Sequence, residues 1–323
     1  MAMDLSYTEG VIAVREKYLL KDRLLRLCEM TTEDAFRSLL EYGFGGGAET
    51  ASSVYDYEKL IEREERLLDE FIFEYAPSAK EAIYLLSPRD FHNAKALMKA
   101  KLLGESGEKM LASEGLIPVS ELSKCISSGE YAGLSANPIL KDACEEAERA
   151  ISSETPISGS QLGLIFERAM YAHLLKGCKR SPLLKRSIIA RLDMTNLLTA
   201  FRAPNEEGVA AAFIEGGKLT LQQVLFATGE RAQEGEAAKL YPDFLRLCVT
   251  AREQRAPLTL AERYRDAFDV ERLNENRYEL KKNEPFLYYV LRRKAENANV
   301  RIIFALQLLG ASEQEMKKRL RGV

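Results

Sequence analysis

The chain has 323 residues, of which 46% are hydrophobic and 29% charged, with a net charge of −3 and a pI near 5.8. These values fit a soluble globular protein close to the size at which single cores divide into several. They give no electrostatic case for nucleic acid, which normally needs a basic face, and leave only local patches open. No apolar run approaches the roughly 20 residues needed to cross a bilayer; the nearest is 209–214. Asp4, Glu9 and Arg15 leave no room for the apolar core of a signal peptide. The expectation is a cytosolic protein able to sit on a membrane complex. Cys28, Cys125, Cys144, Cys178 and Cys248 are scattered, odd in number and without Cys-x-x-Cys or metal-ligand spacing, so reduced, packed thiols are expected.

In chain order, the pattern is helical almost throughout. A leading helix is expected to run to Leu20. The stretch 57–75 carries an apolar stripe of Leu60, Ile61, Leu67, Leu68, Phe71 and Ile72 at helical spacing. Ser87-Pro88-Arg89-Asp90 reads as a helix start, with serine at the cap, proline first and aspartate at the positive end of the dipole. Gly104 then ends that helix. In the middle of the chain, 165–175 is helical, Gly177 breaks it, and Ser181-Pro182 restarts a helix that reaches Arg202 before Pro204. A third such helix begins near Pro285 and stops at Gly310, and a short charged helix over 312–320 follows. Loops are expected at 43–47, 104–107, 133–138, 152–160 and 229–235. Strand signals are scarce, so the fold class is all-α.

One pattern recurs. Asp90-Phe91-His92-Asn93, Asp193-Met194-Thr195-Asn196 and Glu296-Asn297-Ala298-Asn299 each place an acid three residues before an asparagine. The asparagines at 93, 196 and 299 are 103 residues apart in both intervals. Each is followed by about ten largely apolar positions. Three matches at equal spacing argue for an internal triplication. A weaker echo at Gly10–Leu20 has glycine in place of the asparagine. The chain thus divides into a leading helix with lobe 1 (1–104), lobe 2 (105–203) and lobe 3 (204–323), with approximate threefold symmetry. Positions i and i+3 share a helix face. The acid and the amide therefore form one acceptor-rich, half-buried patch, which must find partners such as backbone groups at a break in a neighbouring helix. Asp90, Asn93, Asp193, Asn196, Glu296 and Asn299 are read as a structural repeat motif. No catalytic, cofactor-binding or metal-ligating residue is assigned.

Other features read plainly. Gly43-Phe44-Gly45-Gly46-Gly47 lacks the strand and the Gly-Lys-Ser/Thr of a phosphate loop and reads as a flexible linker. His92 and His173 have no partners at metal-ligand spacing, and no Gly-x-Ser-x-Gly elbow occurs. The charged run 58–70 reads as a solvated helix face. The tail Lys317-Lys318-Arg319-Leu320-Arg321 suits a helix C-terminus, or contact with acidic headgroups or acidic loops. Phe286, Tyr288 and Tyr289 fit an interface patch and a core stripe equally well.

The stretch Arg89-Asp90-Phe91-His92-Asn93-Ala94-Lys95-Ala96-Leu97-Met98-Lys99-Ala100-Lys101-Leu102-Leu103-Gly104 resembles the signature helix of the C subunit of archaeal and bacterial A/V-type rotary ATPases. The eukaryotic relative is the d subunit of the vacuolar ATPase. The segments 193–202 and 296–310 are similar to the family's second and third copies. Tyr7–Leu20 is similar to its opening helix, with Gly10 where an asparagine is more typical. The resemblance implies a three-lobed, all-helical funnel seated on the cytoplasmic mouth of the membrane rotor (proteolipid) ring. It would receive the central stalk subunits D and F, in one copy per complex and peripheral to the membrane. It also implies a non-catalytic part without cofactor, nucleic acid or small-molecule substrate, passing torque for proton or sodium transport coupled to ATP. A soluble scaffold binding peptides on a concave face is the alternative, although such stacks usually repeat every 30–45 residues. An all-α enzyme is the third reading, weakened by the missing acidic metal motif.

Overall fold

Capping residues and apolar periodicity set the helix boundaries in the computed structural model of the chain, which describes residues 5–155, 157–278 and 282–322. In order the α-helices are α1 (Leu5–Arg15), α2 (Arg23–Glu29), α3 (Thr32–Glu41), α4 (Tyr57–Tyr75), α5 (Ala79–Leu103), α6 (Val119–Ser128), α7 (Pro138–Ile151) and α8 (Gly159–Gly177). They continue with α9 (Pro182–Arg202), α10 (Glu206–Ala212), α11 (Leu221–Phe226), α12 (Glu236–Leu240), α13 (Pro242–Glu253), α14 (Thr259–Asn274), α15 (Glu284–Leu308) and α16 (Glu313–Arg319). Short 3-10 turns join several of them, and no strand occurs among the described residues, so the protein is all-α. Caps are local and explicit. The hydroxyls of Ser158, Thr220 and Ser312 accept from the backbone three residues on, and Gln161, Gln223 and Glu315 return the bond as capping boxes.

Two compact units form. The terminal unit joins Met1–Ser78 to Thr259–Val323, and the central unit is Ala79–Leu258. In the terminal unit, Leu24, Leu27, Leu39, Leu60, Ile61, Val300, Ile303 and Phe304 make one buried cluster, with Tyr57 stacked on Phe304 at 5.5 Å. Phe71 stacks on Phe286 at 5.7 Å and meets Tyr289 edge-on at 5.1 Å, which makes these residues core. In the central unit, Phe91, Ala94 and Met98 of α5 pack with Leu122, Ile126, Leu140, Cys144, Leu162 and Phe166. Such burial contributes about 1.5–3 kcal/mol per large apolar side chain.

Four expectations change. Helix α5 does not start at Ser87. It runs unbroken from Ala79 with Pro88 inside it, and Ser87 Oγ donates to the Ile83 carbonyl at 2.6 Å instead of capping. The cap-and-proline signature is local, whereas the apolar residues Tyr84, Leu85 and Leu86 are buried on the turns before it and carry the helix through. The leading helix stops at Arg15, and Lys21 adopts a left-handed φ of 46°. The Gly43–Gly47 run is a packed turn, not a free linker. Its glycines have φ between 60° and 83°, and a Cβ on Gly45 would lie 2.3 Å from the Leu60 carbonyl oxygen. The run 58–70 is also more than a solvated face, since Glu64 is only 8% exposed and pairs with Arg293. Arg301 pairs with Glu58 at 3.0 Å and Glu65 at 3.4 Å.

The long helices repeat in register. The starts of α4, α8 and α14, and those of α5, α9 and α15, follow one another at intervals of 100–103 residues. The expected lobe boundaries at 104 and 203 fall within the central unit.

Candidate functional site: the acid and asparagine clamps

On α5 the i, i+3 spacing points Asp90 and Asn93 to one side, and both are fully buried. The Asn93 Oδ1 accepts the Ala112 N–H at 2.8 Å, and its Nδ2 donates to the Ser113 carbonyl at 3.4 Å. Asp90 accepts the Leu116 N–H at 3.2 Å and the Ile117 N–H at 3.0 Å. A side chain at Gly115 would put its Cβ 2.2 Å from Asp90 Oδ1, so the loop can reach the carboxylate only through glycine.

Helix α9 does the same. Asn196 accepts the Ile214 N–H at 3.0 Å and donates to the Ile214 carbonyl at 2.8 Å. Asp193 accepts the N–H groups of Lys218 and Leu219, each at 3.1 Å. A Cβ at Gly217 would lie 2.0 Å from its Oδ1. The Tyr241 hydroxyl adds a donor at 2.7 Å.

On α15, Asn299 accepts the Arg321 N–H and donates to the Arg321 carbonyl, both at 2.8 Å. The acid behaves differently. Glu296 takes the Lys21 N–H at 3.0 Å, from a stretch 275 residues away, and the Arg293 guanidinium at 3.2 Å. Arg293 also donates to the Tyr18 carbonyl at 3.1 Å and to the Glu64 carboxylate. Glu64 in turn accepts the Gly45 N–H at 2.8 Å.

Each asparagine therefore uses its acceptor and its donor on backbone groups 18–22 residues further along the chain. The partners are backbone groups, but they lie in segments beyond the same helix, not at a break in a neighbouring one. Sequence reasoning missed Glu64, Arg293, Lys21, Tyr241 and the glycines. The glycine placed 25 residues after Asp90 and 24 after Asp193 was the one available signal.

Electrostatics follows burial. Desolvation pushes the Asp90 carboxyl up to about 6, against the pull of the Ile117 and Leu116 N–H groups. Asp193 is raised for the same reason, although Tyr241 and two N–H groups hold it down. Arg293 feels burial working against its charge, yet Glu64 and Glu296 outweigh it and raise its affinity for the proton. All five cysteines are buried and free. Burial pushes Cys144 and Cys248 up to about 12, so they are protonated and weakly nucleophilic. His173 packs on Phe91 at 5.4 Å and is lowered by burial, while His92 Nε2 lies 3.1 Å from the Met110 carbonyl. Among the described residues no group of three or more His, Cys, Asp or Glu side chains is placed to hold a metal ion. No helix among them is long and apolar enough to cross a membrane. The tail is tied down: Lys317 pairs with Glu29 at 2.6 Å and Glu313 at 2.7 Å, and Arg321 with Asp266 at 2.9 Å.

The V-type ATP synthase C subunit of Thermus thermophilus is 27% identical over 253 residues, covering 74% of this chain and 75% of the relative. The same protein from a second strain of that organism matches equally. The family model for the ATP synthase (C/AC39) subunit matches residues 8–319. With nearly the whole chain covered by that match, and with the buried acid and asparagine helices in register along it, the chain belongs to the ATP synthase (C/AC39) subunit family.

Proposed function

We propose that the chain is a non-catalytic rotor subunit of a V/A-type rotary ATPase. It links the central stalk subunits D and F to the membrane rotor ring and transmits torque for ion transport coupled to ATP. One copy serves each complex, on the cytoplasmic face of the membrane. In this reading the three helical lobes (1–104, 105–203 and 204–323) are arranged with pseudo-threefold symmetry as a funnel. Asp90, Asn93, Asp193, Asn196, Glu296 and Asn299 are its structural repeat motif.

The single observation that carries the reading is the family match over residues 8–319. The clamps support it physically. A part that passes torque must resist bending, and close-packed helices have low compressibility. The clamps tie the segment that follows each signature helix back onto that helix through two directed hydrogen bonds, so the connections resist deformation as well. All six motif residues spend their polar atoms on backbone, on Arg293 and Arg292 or, for Asp193, on the Tyr241 hydroxyl, which suits a structural role better than a reactive one.

Co-purification tests the proposal. The tagged chain drawn from native membranes is expected to bring down the stalk and ring subunits and to leave with the rotor on dissociation. Recovery of the chain alone, without any ATPase subunit, would contradict it.

A further inference from the structure

Helices α8 and α9 meet in a tight turn whose chemistry neither the clamps nor the core explain. Residues 168–192 contain seven cations and no acid: Arg168, Lys176, Lys179, Arg180, Lys185, Arg186 and Arg191. The remaining 39 cations are set against 49 acids, so this stretch runs counter to the acidic balance of the chain. Arg168 donates to the carbonyls of Ala211 and Phe213. Lys176, Lys179, Arg180, Lys185 and Arg186 are all exposed. Among the described residues none of these five has an acidic side chain within ion-pair distance.

The placement is unfavourable for the fold alone. Lys176 lies in the last turn of α8 and Lys179 and Arg180 just beyond it, at the negative end where cations are welcome. Lys185 and Arg186, by contrast, lie near the positive end of α9, which has no acid in its first turn. The connections at equivalent register are different. Glu70 and Glu74 precede the turn from α4 to α5, and Glu275 and Glu284 accompany the cations between α14 and α15. The basic tail at 317–321 is unlike it too, because Lys317 and Arg321 are already paired.

We propose that the α8–α9 hairpin is a docking patch for an anionic phospholipid surface. The idea rests on the rotor reading in one respect, that the protein works beside a membrane. The five exposed cations of the patch have flexible stems and, among the described residues, no acidic side chain within ion-pair distance, and no apolar centre lies among them. Among the described residues no exposed large hydrophobic side chain lies between Leu116 and Phe226. A protein interface normally has an apolar or aromatic core with lysine depleted, and single-stranded nucleic acid needs aromatic platforms. Headgroups on a charged surface need neither. They reward each basic residue held within a Debye length, and salt weakens them.

The test is sedimentation of the full chain with vesicles of phosphatidylcholine, with or without phosphatidylglycerol. Binding is expected only with phosphatidylglycerol and is lost at high salt. Each neutralised cation should weaken partition about fivefold, so Lys179→Gln with Arg180→Gln should cost roughly 25-fold. Lys185→Gln with Arg186→Gln should cost as much, and Lys318→Gln with Arg319→Gln in the tail little. Equal partition onto both vesicles overturns the proposal. So do hairpin variants that bind as well as the parent, or a tighter hold on polyglutamate or duplex DNA than on the vesicles. Vesicle partition alone decides the patch, whereas failure of the parent chain to join the ATPase contradicts the rotor reading.

Discussion

In the central unit, Asp90 and Asp193 each take up two backbone N–H groups from a glycine-containing loop. In the terminal unit, Glu296 takes one backbone N–H, from Lys21, and gives its other oxygen to Arg293. The difference is one methylene and one buried cation. Hydrogen-bond dipoles compensate the two aspartates, with a smaller pull from Arg89 and Lys218, and burial still raises their proton affinity. The longer glutamate reaches a guanidinium that Glu64 also holds, so the terminal unit closes its clamp with charge. That closure joins the N-terminal stretch to α15, over a separation of 275 residues. The same motif has thus been satisfied once mainly by ionic contacts and twice mainly by neutral dipoles.

The comparison breaks most sharply at Arg293. Arg293→Met leaves Glu64 buried without its cation and Glu296 with only Arg292, at 3.7 Å, and about 3–5 kcal/mol of stability is expected to go. Chemical denaturation followed by circular dichroism measures it. The central unit should suffer next most from Asn196→Ala, which strips partners from the buried Ile214 N–H and carbonyl and should cost about 3 kcal/mol. A loss below that of an ordinary surface change would show that the amide carries nothing.

Acidity separates the units more gently. The folded Asp90 carboxyl holds its proton more tightly than the unfolded chain, with its value moved from 3.8 to about 6. Its contribution to stability is therefore complete below about 3.8 and is lost as pH rises through about 6. Between about pH 7 and pH 5 the parent should gain roughly 1 kcal/mol from this group, and Asp90→Asn should remove that gain. Thermal unfolding across that range, parent against variant, reads the difference. The smallest effect is at Lys21, a non-glycine residue left-handed at φ 46°. Lys21→Gly should stabilise by roughly 0.5–1 kcal/mol, because the amide that binds Glu296 is kept while the strain is relieved. The same thermal unfolding, run at one pH, measures it.

The asparagine spacing, the helical stripes and the glycine stops were legible because each is a short-range pattern with a fixed period. The helix at Tyr57–Tyr75, the restart at Ser181-Pro182 and the short charged helix near the C-terminus follow from such patterns. Ser87-Pro88 misled because a local start signal competes with burial on both sides of it, and burial decided. Glu64 looked like one charge among many along a helix face. Its partner is 229 residues away, and no local rule connects them. The Gly43–Gly47 turn was opaque for a related reason: glycine there answers a close approach by Leu60, visible only once the helices are packed.

Amide hydrogen exchange tests the three-clamp account most directly. Ala112, Ile214 and Arg321 lie outside the helices, yet each gives its N–H to a buried asparagine. Slow exchange at all three, lost locally when the matching asparagine becomes alanine, is the predicted result. Three amides that exchange as fast as open loop would contradict it.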